Sequence, residues 1–470
     1  MSGTEENFDT TVDFLVVGSG GGGMAAAITA ADRGIDTLVI DKGATFGGST
    51  AISGGGIWIP NAPTLREKGV VDSRESIRRY LDIITEGTVP ADRLDAFVDK
   101  GPELMDLLDR SPHMKLYWVK GYSDYHPEYD GGRPLGRTIE CKPFDTRALK
   151  EDEQYQRPNS MKGPLGLWVT SKDYHDLAMV KRTWKGRKAS LVAAWRVASN
   201  VDGIVAGQKL GAAVDLMDDA WWMPSVFHPM GAVIPLVSER CIPPSVIVNG
   251  RGERFTNESS PYVNFVHDQL DGGHVPAWFV MDGKAKSRYP FAQVLPGVPF
   301  PQGFYDSGVV HKADTLRDLA DAIGVKADTL VATIDRFNGF ARTGKDEDFG
   351  RGDSAYDRYY GDPTMKNPCL DEIVEGPFYA IRCEAGDLGT KGGLVTDADA
   401  RVLREDGSVI DGLYATGNTS ASVMGNEYAG AGATIGPAMV FGYIAALHVA
   451  DVSGKASPDT RQHSRAGEVA

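Results

Sequence analysis

Three glycines and one acid carry the first chemical signal in this chain. In VDFLVVGSGGGGMAAAITAADRGIDTLVIDKG, residues 12–43, Gly18, Gly20 and Gly23 fill a GxGxxG pattern, and Ser19 and Gly21 complete the turn. Gly18 permits a tight turn, Gly20 lets the backbone approach a pyrophosphate, and Gly23 lets the following helix pack closely. A helix N-terminus at this point offers free N–H groups and a positive dipole end to phosphates. Asp41 closes the stretch, placed to accept hydrogen bonds from adenosine ribose hydroxyls. A carboxylate there repels a 2′-phosphate, so NADP is disfavoured.

These residues need a βαβ unit to hold them. The apolar run Phe14 to Val17 predicts a first strand, Met24 to Arg33 a helix, and Thr37 to Ile40 a second strand that delivers Asp41. The next segment, KGATFGGSTAISGGGIWIPN, is unusual for a nicotinamide enzyme. Lys42, Gly43, Gly47, Gly48, Ser49, Thr50, Ser53, Gly54 and Gly55 put small and hydroxyl residues where backbone N–H groups can line a long cofactor. A flavin fits that extension better. Near the other end, Gly412 to Thr416 predict a strand, Gly417 and Asn418 turn out of it, and Gly430 to Gly436 open a helix over Ala438 to Ala450. That helix N-terminus can stabilise negative charge on a reduced isoalloxazine.

Size and charge narrow the partners. At 470 residues the chain can bury more than one core, and a net charge of -15 lacks the basic footprint that nucleic acid requires. Cys141, Cys241, Cys369 and Cys383 form no CxxC pair, so neither a metal site nor a disulfide framework is expected. The polar N-terminus MSGTEENFDT and the absence of a run of about 18 apolar residues predict no transmembrane segment and a cytoplasmic location.

With SGGGIWIPN at 53–61, WVKGYSDYHPE at 118–128, LMDDAWW at 216–222, GERFTNESSPY at 252–262 and GDLGTKGGLVTD at 386–397, the chain resembles the FAD-dependent 3-ketosteroid 1-dehydrogenases. These belong to the flavoprotein superfamily of succinate dehydrogenase and fumarate reductase. The resemblance implies FAD as cofactor, a steroid substrate and an unidentified electron acceptor. It also implies roles for four residues. Tyr428 and the N–H of Gly432 polarise the 3-keto oxygen, Tyr262 takes the proton from carbon 2, Tyr125 hydrogen-bonds to Tyr262, and hydride leaves carbon 1 for the flavin. Composition alone favours none of them, since any one of 17 tyrosines is by default a packing residue. The family loop YPGPG reads Tyr428-Ala429-Gly430-Ala431-Gly432 in this chain, which removes two prolines and their rigidity.

Trp222, with Trp221, falls where the family places aromatic residues near the steroid, although core packing explains such a pair equally well. His126 is expected to be a polar neighbour rather than a base, and the Arg351-Gly352-Asp353 triplet a coincidence. A 4-dehydrogenase of 5α-steroids or a fumarate-type reductase is the enzymatic alternative.

The expected fold is α/β: a Rossmann-like FAD-binding domain from residues 1–200 and 390–470, with an α+β catalytic domain inserted at 201–389. Strands for the cofactor sheet are scarce. Residues 62–200 contain no convincing β-branched run, which leaves Phe14–Val17, Thr37–Ile40 and Leu413–Thr416 as a thin, incomplete sheet. The family likeness also fails between residues 163 and 211, where a helix over Lys188–Ala198 runs into a break near Asn200. An internal deletion or a compact branch of the family would explain it. A deleted form could retain flavin or steroid without turnover.

Overall fold

The structure, a computed structural model, describes residues 9–142, 146–156 and 201–454. Its first unit matches the sequence pattern. Strand β1 (Phe14–Val17) pairs in parallel with β2 (Thr37–Ile40), and helix α1 (Gly21–Asp32) connects them. The helix begins at Gly21 rather than Met24. Glycines are tolerated in its first turn because the N–H of Gly21 donates to Thr50 Oγ1 at 3.0 Å, and because no side chain fits at Gly22, where a Cβ would lie 2.8 Å from Thr416.

A short antiparallel sheet follows, in which Ile57–Trp58 and Leu116–Trp118 flank Thr138–Cys141. These strands add nothing to the parallel pair. The largest sheet is antiparallel and belongs to the middle of the chain. Strand β3 (Ala220–Phe227) pairs with β4 (Phe378–Thr390), which continues through Ala277–Met281 to Ser245–Asn249. Helix α2 (Tyr262–Asp271) packs against it, and Ala327–Thr343 forms a longer helix.

The Leu413–Thr416 expectation is overturned. Val409–Tyr414 is a strand, but it pairs antiparallel with Arg401–Leu403 and not with β1 or β2. The local hairpin wins because Gly407, at φ +79°, closes a short turn in which the Arg404 N–H donates to Ser408 O at 2.8 Å. Among the described residues the parallel sheet therefore has two strands. One of its faces is bare, with Leu15 at 50%, Val17 at 75%, Leu38 at 38% and Ile40 at 43% exposed. A helix spans Val201–Lys209, while Lys188–Ala198 and the break at Asn200 lie outside the described residues.

Helix α3 (Ile435–Val452) extends the expected Ala438–Ala450 by several residues. By length and apolarity it could cross a membrane, a feature the sequence expectation missed, yet 67% of it is buried inside the protein. It crosses α1 at glycine contact. A Cβ on Gly442 would stand 2.2 Å from the Gly22 carbonyl oxygen, so the two backbones meet with nothing between them.

Buried charge fixes the segment before α2. Arg254 grips Glu258 through two hydrogen bonds of 2.7 and 2.8 Å and reaches Asp346 at 2.7 Å, while Arg351 approaches Glu258 at 3.3 Å. Arg240 donates to the carbonyls of Glu258 and Ser260 at 2.6 and 3.0 Å. Burial pushes the Glu258 carboxyl up, but Arg254 and Arg351 outweigh it and hold the group below its ordinary value. Arg351 is fully buried and donates to Ser245 O and Arg240 O, so its RGD triplet is structural. Replacing Glu258 by Ala strands buried guanidinium charge, and equilibrium denaturation should show a loss of about 3–5 kcal/mol. A change below about 1 kcal/mol, the scale of an exposed ion pair, would mean that this network does not anchor α2.

Candidate active site

The loop Glu427 to Gly432 is clamped by its carbonyl oxygens. Ala429 O accepts from the Tyr80 hydroxyl at 2.6 Å and from the Tyr125 N–H at 3.1 Å. Ala431 O accepts from Thr138 Oγ1 at 2.9 Å, and Gly432 O from the Trp58 N–H at 3.1 Å. Separate segments therefore do what the two absent prolines would have done. Gly432 has φ +95°, and a Cβ there would fall 2.3 Å from the Gly56 backbone, so the position admits only glycine.

The same clamp gathers the three tyrosines. The Tyr125 and Tyr262 hydroxyls are 3.0 Å apart, and the Tyr428 ring lies 4.9 Å from Tyr125 and 5.5 Å from Tyr262 between centroids. All three are buried. The Tyr428 hydroxyl sits 3.2 Å from Thr434 Oγ1, and the Gly432 backbone bears on the same phenol. Tyr262 opens α2, downstream of the arginine-held segment. Tyr125 is carried by a loop in which Asp124 accepts from Trp58 Nε1 at 2.9 Å and pairs with the buried Arg137.

Further tyrosines surround this trio, and sequence reasoning did not single them out. Tyr122 stacks on Tyr359 and shares a short hydrogen bond with Tyr360, while Tyr356 lies 4.6 Å from Tyr125 with its hydroxyl buried and unpaired. The signal was present as YDRYY at 356–360, beside the RGD triplet. Burial pushes the phenols of Tyr125, Tyr262, Tyr356 and Tyr360 well above the ordinary tyrosine value. Tyr428 is raised too, with Thr434, Tyr262 and the Gly432 N–H opposing the effect of burial.

The two tryptophans divide. Trp221 is buried with its ring edge-on to Tyr428 at 4.9 Å, whereas Trp222, one residue along β3, faces the opposite core with Phe255 and Tyr305. Of the pair, Trp221 and not Trp222 lies beside the tyrosines. His126 Nε2 lies 3.3 Å from Glu427 and is a neighbour of the loop, as expected.

The glycine turn is built as a cradle. Gly18 has φ +102°, and a Cβ on Gly23 would stand 2.0 Å from Gly18 O. Asp41 Oδ2 accepts from the N–H and hydroxyl of Ser19 at 2.9 and 2.6 Å, and its Oδ1 accepts from the Gly43 N–H at 2.8 Å. The 47–55 segment docks onto this turn. Gly47 donates to Ser19 Oγ at 2.9 Å, Gly48 comes against Gly20, and a single-turn helix over Thr50–Ile52 follows Ser49. Ser53 then accepts from the Gly55 N–H at 3.1 Å, with Gly54 between them. Lys42 is drawn away into an exposed ion pair with Asp202. At the far end, Gly417 and Asn418 line a cavity with Thr434, Ala438, Trp221 and Arg93. Arg93 is buried with its Nε unpartnered, a donor awaiting an acceptor. The close backbone approach at the turn and the unpartnered donor in the cavity suit the phosphates and ring carbonyls of a dinucleotide.

A family model for the FAD binding domain matches residues 13–157 and 177–435. The chain is 42% identical to a 3-oxosteroid 1-dehydrogenase of Mycobacterium tuberculosis (strain ATCC 25618 / H37Rv) over 557 aligned positions, covering 94% of this chain and 99% of the relative. That alignment is longer than the 470-residue chain, so the relative carries residues with no counterpart in it. A 3-oxosteroid 1-dehydrogenase of Comamonas testosteroni is 30% identical, with 96% and 98% covered. The crystal structure of 3-ketosteroid delta1-dehydrogenase from Sterolibacterium denitrificans, in complex with 1,4-androstadiene-3,17-dione, superposes with a TM-score of 0.84 at 33% identity, over 94% of this chain and 99% of that one.

The raised phenols make stability depend on alkaline pH. A group whose pKa is higher in the folded state stabilises while both states are protonated. That stability is lost as pH rises past about 10, where the unfolded chain ionises first. Denaturation midpoints should hold from pH 7 to 9 and fall beyond pH 10. In the Tyr125→Phe variant the alkaline fall should be shallower, and an unchanged slope would count against burial of that phenol.

Proposed function

The chain belongs to the FAD-dependent 3-oxosteroid 1-dehydrogenases, and from that premise we propose that it places a double bond between carbons 1 and 2 of a 3-ketosteroid. The observation that carries this assignment of roles is the packing of buried Tyr125, Tyr262 and Tyr428 against one another, with the Gly432 backbone bearing on the Tyr428 phenol, next to Trp221 and Thr434 of the Gly417–Ala438 cavity. Residues 1–200 and 390–470 form the FAD-binding part of this scheme, and 201–389 the steroid-binding part.

Tyr428 and the Gly432 N–H hold the 3-keto oxygen, which acidifies carbon 2 as developing negative charge moves onto oxygen. Tyr262 takes the carbon 2 proton, and Tyr125 donates a hydrogen bond to the Tyr262 oxygen as it does so. FAD, held by the glycine turn at Gly18–Gly23 and the cavity lined by Gly417 and Asn418, would supply the hydride acceptor for carbon 1, so that with the proton taken by Tyr262 one proton and one hydride would leave and a carbon–carbon double bond would remain. Trp221 closes one wall against the apolar ring. Because burial raises the phenol of Tyr262, negative charge on its oxygen is costly, and Tyr125 is already in place to share it.

A dicarboxylate reductase fits poorly. Such a site needs cations beside its substrate, whereas phenols meet at Tyr125, Tyr262 and Tyr428, Arg240, Arg254 and Arg351 are buried and committed to carboxylates and backbone carbonyls, and Arg93 lines the cavity assigned to the cofactor. A second reading is favoured by the exposed apolar face of β1 and β2 and by the residues of the relative that have no counterpart in this chain. In that case the protein binds flavin or steroid weakly and turns nothing over.

Purified protein should show the visible bands of oxidised flavin, and no retained FAD after reconstitution would favour the second reading. Anaerobic mixing with a 3-keto-4-ene steroid should bleach the flavin. Tyr428→Phe and Tyr262→Phe should each slow bleaching at least about 100-fold, and undiminished bleaching in both would sink the roles assigned to these tyrosines. Between pH 7 and 9 the wild-type rate should rise with pH, because a base with a raised pKa gains reactive form as protons are withdrawn. A flat profile in a chemistry-limited reaction would argue against a phenol base.

A further inference from the structure

Beside the cavity at the N-terminus of α3 stands a buried lysine that the roles above leave unused. Lys391, immediately after β4, has a fully buried side chain. Its ammonium lies 2.8 Å from Asp219 Oδ2 and 5.1 Å from the Trp221 ring centroid. Asp219 is held on its other oxygen by His267 Nε2 at 3.0 Å, and His267 is on α2, the helix that Tyr262 opens. A second carboxylate nearby, Glu427, is already engaged by Asn264 at 2.7 Å and by His126. Burial pulls the Lys391 ammonium below its ordinary value, and Asp219 opposes that shift.

The cavity faced by Lys391 gathers positive potential from three sources. Arg93 lines it with an unpartnered Nε and donates to the Ala421 carbonyl at 3.0 Å. The N-terminus of the 18-residue helix α3 opens there without a side-chain cap. Lys391 is the third. Asp219 is bonded to Lys391 and Glu427 acts on it from farther away, while Arg93 feels Asp92, Asp215 and Asp397 without a bond from its guanidinium to any of them; cations so partly compensated are costly to bury around a neutral ligand. The arrangement makes sense for a ligand that becomes negative in place. A neutral oxidised flavin that receives a hydride gains one unit of negative charge unless a second proton follows.

We propose that Lys391 stabilises the negative charge of the two-electron-reduced flavin, and that Asp219 and His267 hold its ammonium in position against Trp221. This rests on the assignment of FAD to the cavity. A lysine in place of a neutral residue raises the affinity for reduced cofactor more than for oxidised cofactor, and so raises the two-electron midpoint potential.

The test uses full-length protein, deflavinated and titrated with oxidised FAD and, anaerobically, with dithionite-reduced FAD. Sulfite, which forms an anionic adduct with oxidised flavin, is the second probe and needs no steroid. Lys391→Met and Lys391→Gln should lower the ratio of reduced to oxidised affinity at least tenfold, equivalent to about 30 mV in midpoint potential, and weaken sulfite binding at least tenfold. Lys391→Arg should keep both within about threefold of wild type. If both neutral variants bind FAD with the wild-type affinity ratio and the wild-type sulfite Kd, the proposal is overturned. The titrations also report on variants that hold FAD weakly, because the ratio survives a common loss of affinity. Failure of the wild-type protein itself to bind either form would instead remove FAD from the cavity, which is a separate result.

Discussion

The site depends on a set of backbone carbonyls more than on any side chain. The oxygens of Ala429, Ala431 and Gly432 are each held by a donor from a distant part of the chain: Tyr80, Tyr125, Thr138 and Trp58. Buried acceptors that lose their donors cost about 1–3 kcal/mol each, so the loop has one stable conformation. That conformation aims Tyr428, places the Gly432 N–H beside it, and delivers the chain into α3. The cofactor cavity and the tyrosine cluster thus share a single mechanical origin.

Around this clamp the structure uses two kinds of support. On the cofactor side it relies on missing side chains, with Gly22, Gly23 and Gly442 allowing turn, strand and helices to meet backbone to backbone. On the substrate side it relies on buried ions, with Arg254, Arg351 and Arg240 fixing the segment before Tyr262, and Arg137 fixing the one before Tyr125. Glycine contacts offer close approach to a long ligand. Ion networks offer directional hold where a phenol must meet another phenol at hydrogen-bond distance.

Much of this was legible in the sequence because the signals were local. The βαβ unit could be placed from Phe14 to Asp41 by period and punctuation alone, and the three tyrosines came from short motifs that keep their loop context. What escaped was set by pairing partners far apart. Val409–Tyr414 carried a strand pattern, but nothing within it says that Arg401–Leu403 will claim it before β1 can. Tyr356 and Tyr360 lie in a polar stretch of sequence, yet they are buried against Tyr125 and Tyr122, which are more than 200 residues away. Lys391 was visible inside GDLGTKGG, yet its burial follows from Asp219, a residue in a different strand connection.

Trp221 and Trp222 carry one more consequence. A strand sends neighbouring side chains to opposite faces, and β3 gives one indole to the tyrosines and the other to a core on the far side of the sheet. The dipeptide is a palindrome to any pattern search, but it is not one to the sheet. Displacing β3 by a single residue against β4, where Trp222 now faces Asp387, would trade the two indoles and leave every letter of the motif unchanged. A chain of this family altered in length upstream of the pair could therefore keep a perfect signature and present the wrong wall to its substrate.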